Sequence, residues 1–247
     1  MIIRAVEADD WFEINTAASG VLPVFTDDDV PPGEESACDA CDACDVSGGG
    51  IMGEIKMNTN TKKSTKGKNT YAVLGRESYR PLFPASLLLC DFGGSTKRRF
   101  TSAFECACAE FHQESCGAFM SLDATAAEVM SFVRGRVLGV FHCLSENPHE
   151  KDYIVFVIRV TRGEAEAAIS GFARNRGDVV KRGQETGRHR HLKDYLEKDL
   201  LCGINLDLDG LRLSQQLFRP EFFAVLLEIL PSLCDLAMVS MVSKTST

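Results

Sequence analysis

The sequence has no apolar run long enough to cross a bilayer, no basic-then-apolar leader at its start and no Asn-x-Ser/Thr sequon. A spanning helix needs about 18 to 20 predominantly apolar residues, and the best run here, Phe222 to Leu230, is short and broken by Glu228. Acids arrive by Glu7, so the opening residues do not read as a secretory signal. These absences lead us to expect an intracellular protein, cytoplasmic or nuclear, without membrane association. In that setting the 10 cysteines are expected as thiols or metal ligands rather than disulfides. Proline and glycine, 8 and 20 of 247 residues, are too sparse for a fibrous or low-complexity chain. The sequence also lacks a Gly-x-Ser-x-Gly elbow, a phosphate-cradling Gly-x-x-x-x-Gly-Lys and a His-Glu-x-x-His pair. Gly93-Gly94 has no third glycine to complete a dinucleotide fingerprint.

What is present is a globular balance: 45% hydrophobic and 25% charged residues, with a net charge of −8. That charge opposes wholesale wrapping of nucleic acid or of an anionic membrane. Three zones follow. Residues 1–25 read as a strand from Ile2 to Val6, a short helix from Asp9 or Asp10, and an apolar tag, Val21 to Phe25. Residues 26–70 read as a disordered linker, acidic to Gly50 and basic afterwards through Lys56, Lys62, Lys63, Lys66 and Lys68. Residues 71–247 read as an α+β domain with a mixed or antiparallel sheet and packed helices. Within it Ser102-x-x-Glu105 and Thr125-x-x-Glu128 are capping boxes opening two helices. Arg136 to Leu144 and Tyr153 to Val160 then read as an antiparallel strand pair, the second apolar on both faces and therefore central. The remainder predicts a helix over 164–174, a Gly- and Arg-rich loop to about Arg190, a helix over 191–202 and a strand over 204–208. Leu206 to Gly210 is taken as an edge strand closed by a turn, and a helix over 221–230 is expected to stop at Pro231.

Three constellations could carry chemistry. Cys38, Cys41 and Cys44 have metal-ligand spacing, but the interleaved aspartates hinder thiolate formation, and the run equally reads as an acidic repeat. On the helix opened by Ser102, Cys108, His112 and Cys116 recur every four residues, with Cys106 beside them. They could share a structural zinc with Cys90, His142 or Cys143, whereas Phe104, Cys108 and Phe111 also make an apolar stripe that would be core. His142 and Cys143, adjacent in a predicted strand, point to opposite faces and make no dyad. Zinc is the one cofactor these residues suggest. The third constellation is basic: Arg174, Arg176, Lys181, Arg182, Arg188, Arg190 and Lys193. It is a candidate nucleic-acid or phosphate contact that lacks interleaved aromatics for stacking.

Ile3-Arg4-Ala5-x-x-x-Asp9-x-x-x-x-Ile14 resembles the first strand and helix of the GNAT acetyltransferases. Val137 to Leu144, a loop, Tyr153 to Val160, then Arg162-Gly163 and a helix is similar to that family's third and fourth strands leading into its acetyl-CoA helix. The resemblance implies backbone amides at the helix start holding a CoA pyrophosphate, but here Glu164 and Glu166 occupy that turn. The leading expectation is a non-enzymatic interaction or regulatory protein, a lineage-restricted accessory factor of the kind viruses encode, acting on unidentified protein partners. The apolar helix over 221–230 could serve as a partner-binding element, although all-round hydrophobicity more often means core. Nucleic-acid or phosphate binding through 174–193 is the alternative, and a GNAT-like or degenerate GNAT fold the second.

Overall fold

Alternation of apolar residues that are buried on both faces of one sheet sets the architecture. The computed structural model describes residues 2–6, 18–27, 69–96, 100–144, 152–186 and 189–242. Its strands are β1 (Ile2–Ala5), β2 (Ala18–Thr26), β3 (Thr70–Glu77), β4 (Leu89–Cys90), β5 (Phe92–Ser95), β6 (Val137–Leu144), β7 (Tyr153–Arg159) and β8 (Lys198–Asn205). Its helices are α1 (Ala103–Glu114), α2 (Ala126–Arg134), α3 (Arg162–Thr186), α4 (His189–Tyr195), α5 (Leu208–Leu213) and α6 (Pro220–Val242). All eight strands join one sheet, ordered β1-β6-β7-β2-β3-β4, with β5 also on β2 and β8 on β3. The β2–β7 pair is parallel and the others antiparallel, so the sheet is mixed. The α+β expectation holds.

In β7, Ile154, Phe156 and Ile158 face one core and Val155 and Val157 the other. That two-sided burial places β7 between β6 and β2, as its sequence predicts. The first core takes α1, α2 and the buried stripe of α3, with Phe104 against Phe156 and Phe92 against Phe111, both edge-on. The second takes Leu211 of α5 and Phe222, Phe223, Leu226 and Ile229 of α6. Both predicted N-caps are made: Ser102 accepts from the Glu105 N–H, and Thr125 and Glu128 form a reciprocal capping box.

Several expectations are corrected. The apolar tag Val21–Phe25 is the middle of β2, a central strand, although it contains Pro23. Val24 turns its carbonyl to β7, where it accepts from the Val160 N–H at 2.9 Å. Pro23 therefore turns its nitrogen the other way, between the stretch paired with β5 (Ala18–Val21) and the stretch paired with β3 (Val24–Thr26). No ladder donor is needed there, so proline is tolerated. The Gly- and Arg-rich loop is instead the second half of α3, whose buried residues Ala165, Ala168, Phe172, Val179 and Gly183 make a continuous stripe. Packing of that stripe outweighs the glycines' weak helix propensity. The predicted helix over 191–202 divides into α4 and β8, because β3 takes residues 198–205 as a ladder partner. Asp207 does not sit in an edge strand: its carboxylate accepts the Gly210 N–H at 2.9 Å and caps α5. Pro231 does not end α6; it is exposed within the helix, where water can reach the carbonyl that its missing N–H leaves free. The predicted helix after Asp9 and positions 28–68 of the linker read over 26–70 lie outside the described residues, as do Cys38, Cys41 and Cys44; the linker's first and last residues, Thr26 and Thr70, are instead paired in β2 and β3.

Candidate functional site

β2 and β3 pair at one end and diverge at the other. The segment 89–95 fills the wedge between them, β4 pairing with β3 at Gly75 and Arg76, and β5 pairing with β2 from Ala18 to Val21. Into this wedge the fold gathers most of its buried charge: Glu77, Asp91, Glu114 and Lys198. Lys198, the first residue of β8, is 0% exposed. Its stem crosses β3 over Gly75, where an added Cβ would come within 2.9 Å of Lys198 Cγ and Cδ. Glycine is required there because any side chain would occupy the lysine's path. The ammonium donates to Glu77 Oε1 at 2.7 Å and to Cys90 Sγ at 2.8 Å, and lies 3.5 Å from Glu114 Oε1. The Cys90 thiol donates to Glu77 Oε1 at 3.2 Å, and Glu114 Oε2 accepts the Gly93 N–H at 2.9 Å. Beside this set the Tyr153 hydroxyl donates to Asp91 Oδ2 at 2.7 Å. A side chain at Gly20 or Gly93 would run into that hydroxyl.

Burial governs the protonation of these groups. It raises Asp91 from 3.8 to about 6 against the lowering effect of the Tyr153 hydrogen bond, and it holds Glu114 well above the ordinary carboxylate range. Burial also pushes the Cys90 thiol far up, although Lys198 pulls the other way. For Lys198 burial favours the neutral amine, but Glu114, Cys90 and Glu77 outweigh it and keep the ammonium charged. The cluster centres on the Lys198–Glu77 ion pair, with the Cys90 thiol and the Glu114 carboxyl, both raised by burial, beside the ammonium.

The sequence-predicted site residues are placed elsewhere. Cys106, Cys108 and Cys116 are buried thiols, and burial raises Cys108 and Cys116, the latter to about 12. Cys108 packs in the first core, Cys116 Sγ donates to the Tyr195 carbonyl at 3.1 Å, and His112 Nε2 is 2.9 Å from the Ser121 carbonyl. Among the described residues no group of three or more His, Cys, Asp or Glu is arranged to hold a metal ion. Cys143 lies in the second core, while His142 is 3.6 Å from Asp152.

The basic residues spread over α3 and α4 rather than along a loop. Arg174, Lys181 and Lys193 are exposed, Arg176 donates to the Lys198 carbonyl at 3.0 Å, and Arg182 pairs with Asp123. Asp178 and Glu185 share the exposed side of α3, so its charge is mixed. Arg188 lies outside the described residues; Arg190 falls in α4. At the start of α3, Glu164 Oε2 accepts the Thr161 N–H at 2.8 Å, and its carboxylate pairs with Arg136 at 3.0 Å. An acid of the chain itself therefore stands where the GNAT resemblance implies a pyrophosphate. β8, the strand after α3 and α4, pairs with β3 and not with β7.

No protein-family model matches the chain, and no curated protein matches it. Among the described residues no helix is long and apolar enough to cross a membrane. The members of the buried cluster, Glu77, Cys90, Asp91, Glu114, Tyr153 and Lys198, carry no shared spacing. The only sequence signal was the glycines at 20, 75 and 93, each in or beside an apolar strand pattern.

Proposed function

We propose that this chain is a non-catalytic interaction protein, and that it engages a protein partner through the loop joining β3 to β4, residues 78–88. The observation that carries this reading is the loop's display of apolar side chains: Tyr79 is 69% exposed, Leu82 103%, Phe83 37% and Leu87 40%. Leu82 and Leu87 are held at φ 64° and 65°, in the left-handed region that costs a non-glycine residue about 1–2 kcal/mol. The loop is nevertheless fixed: Ser86 bonds the Arg80 backbone in both directions, Arg80 stacks on Phe83, and Ser78 ties the loop to Leu196 and Glu197 at the entrance to β8. A rigid, strained, apolar projection is a poor solution for stability and a good one for filling an apolar groove on a partner. The sealed state of the titratable cluster supports a non-catalytic role. The helix over 221–230 packs its aromatic and aliphatic side chains into the second core, the more usual role of so apolar a helix, so the loop is the surface left to bind.

Leu82→Gly tests the reading, because it removes the exposed side chain and the backbone strain together. We expect a fold as stable as the parent or more so by about 1 kcal/mol in chemical denaturation. Binding to a purified partner, first identified by capture with the parent chain, should weaken at least tenfold. Unchanged affinity in the variant would assign the contact to another surface.

A further inference from the structure

We propose that Cys90 and Lys198 are a redox modification site, at which a hydroperoxide oxidant builds a covalent Cys–S–O–NH–Lys bridge that staples β4 to β8 across β3. Cys90 has a lysine ammonium against its sulfur, at 2.8 Å. Both side chains are immobilised, Lys198 by the glycine gap at Gly75 and by Glu77, and Cys90 in the second core at 3% exposure. This geometry selects the product. A direct N–S bond, shorter than the about 2.05 Å of a disulfide, would have to draw the two atoms together by most of an ångström in a close-packed interior. An oxygen bonded to both spans close to the separation they already have.

The atoms balance with two hydroperoxide equivalents, written for hydrogen peroxide. Sγ attacks one peroxide oxygen, the O–O bond breaks, and sulfenic acid and water form. Glu77, 2.7 Å from the ammonium, takes its proton, and the freed amine takes oxygen from a second peroxide, leaving a hydroxylamine and water. The hydroxylamine oxygen then attacks the sulfenyl sulfur, and the sulfenic hydroxyl leaves as a third water. Thiol plus amine plus two peroxides thus give the bridge and three waters; sulfur and nitrogen each lose two electrons. A buried neutral thiol reacts slowly, and peroxide reaches it through local opening, so the site is a slow lock and not a fast sensor.

The test uses the full chain, millimolar hydrogen peroxide and peptide mass spectrometry. Cys202, the one described cysteine that is not buried, gauges the oxidant. The expected product joins the Cys90 and Lys198 peptides at their summed mass plus one oxygen less two hydrogens. It should disappear with dithiothreitol, which returns thiol, amine and water. The bridged protein should melt several degrees higher than the reduced form, and Cys90→Ser, which keeps the Lys198–Glu77 pair, should show neither product nor shift. Oxidation of Cys202 with Cys90 unchanged, or oxygen on Cys90 alone without Lys198, would overturn the proposal.

Discussion

Two clusters draw on α1, and they differ in how they are assembled. Cys106, Cys108, His112 and Cys116 are neighbours in sequence, yet each ends in different company: the Ser95 carbonyl, core side chains, the Ser121 carbonyl and the Tyr195 carbonyl. Glu114, on the same helix, meets Glu77, Cys90 and Lys198, residues up to 121 positions apart from one another. Sequence spacing makes the first group conspicuous, and hydrogen bonding disperses it. The second has no spacing at all and is made by three strands and a helix end closing on one lysine. Proximity along a helix is weak evidence for a site, because each side chain will satisfy itself with the nearest partner that folding supplies.

The sharpest way to break this contrast is Lys198→Met. It leaves Glu77 buried without its counter-charge, and we expect a loss of about 3–5 kcal/mol in urea denaturation. Adding Glu77→Leu should recover much of it, because an apolar pair tolerates burial where a lone carboxylate does not. No recovery would mean that the lysine acts mainly through its packed stem.

The next effect depends on pH. Asp91 titrates near 6 in the folded chain and near 3.8 when unperturbed. Below pH 3.8 both states hold the proton. As pH rises, the unfolded chain releases it first, so stability is lost between about pH 4 and 6, by about 3 kcal/mol from this group. Glu114, raised in the same sense by burial, adds a loss of the same sign. Stability measured against pH for the parent minus Asp91→Asn isolates Asp91, and a flat difference across that window would place its titration elsewhere.

The smallest effect belongs to the conspicuous cluster. Cys108→Ala should cost about 1 kcal/mol, the loss of one small buried group, and added zinc should not change that difference. A zinc-dependent penalty would support the metal reading for this helix.

Much of the fold was legible because its signals are local. Ser102 and Thr125 sit three residues before a glutamate, and each starts a helix within one residue of its predicted place. β7 was legible because five successive apolar residues, Ile154 to Ile158, are buried on both faces. The misreadings cluster where a partner decides. Val21 to Phe25 read only as an apolar tag, and Pro23 fits the central strand it forms because its nitrogen faces the wedge where β2 leaves β3 for β5. Residues 198–202 resembled the end of a helix until β3 offered them a ladder. Nothing local marks Lys198 or Glu114 for complete burial, and the sequence singles out neither.

By itself, then, the sequence determined the helix caps, the central strand, the antiparallel β6–β7 pair and the α+β class. Caps, turns and hydrophobic alternation act over a few residues, and their energies are present wherever the chain goes. Tertiary structure alone decided that β2 would be central, that α3 would run to Thr186 and that Lys198 would cross Gly75 to reach Glu77 and Cys90. Those outcomes depend on groups distant in sequence satisfying one another inside a medium that penalises any charge left alone.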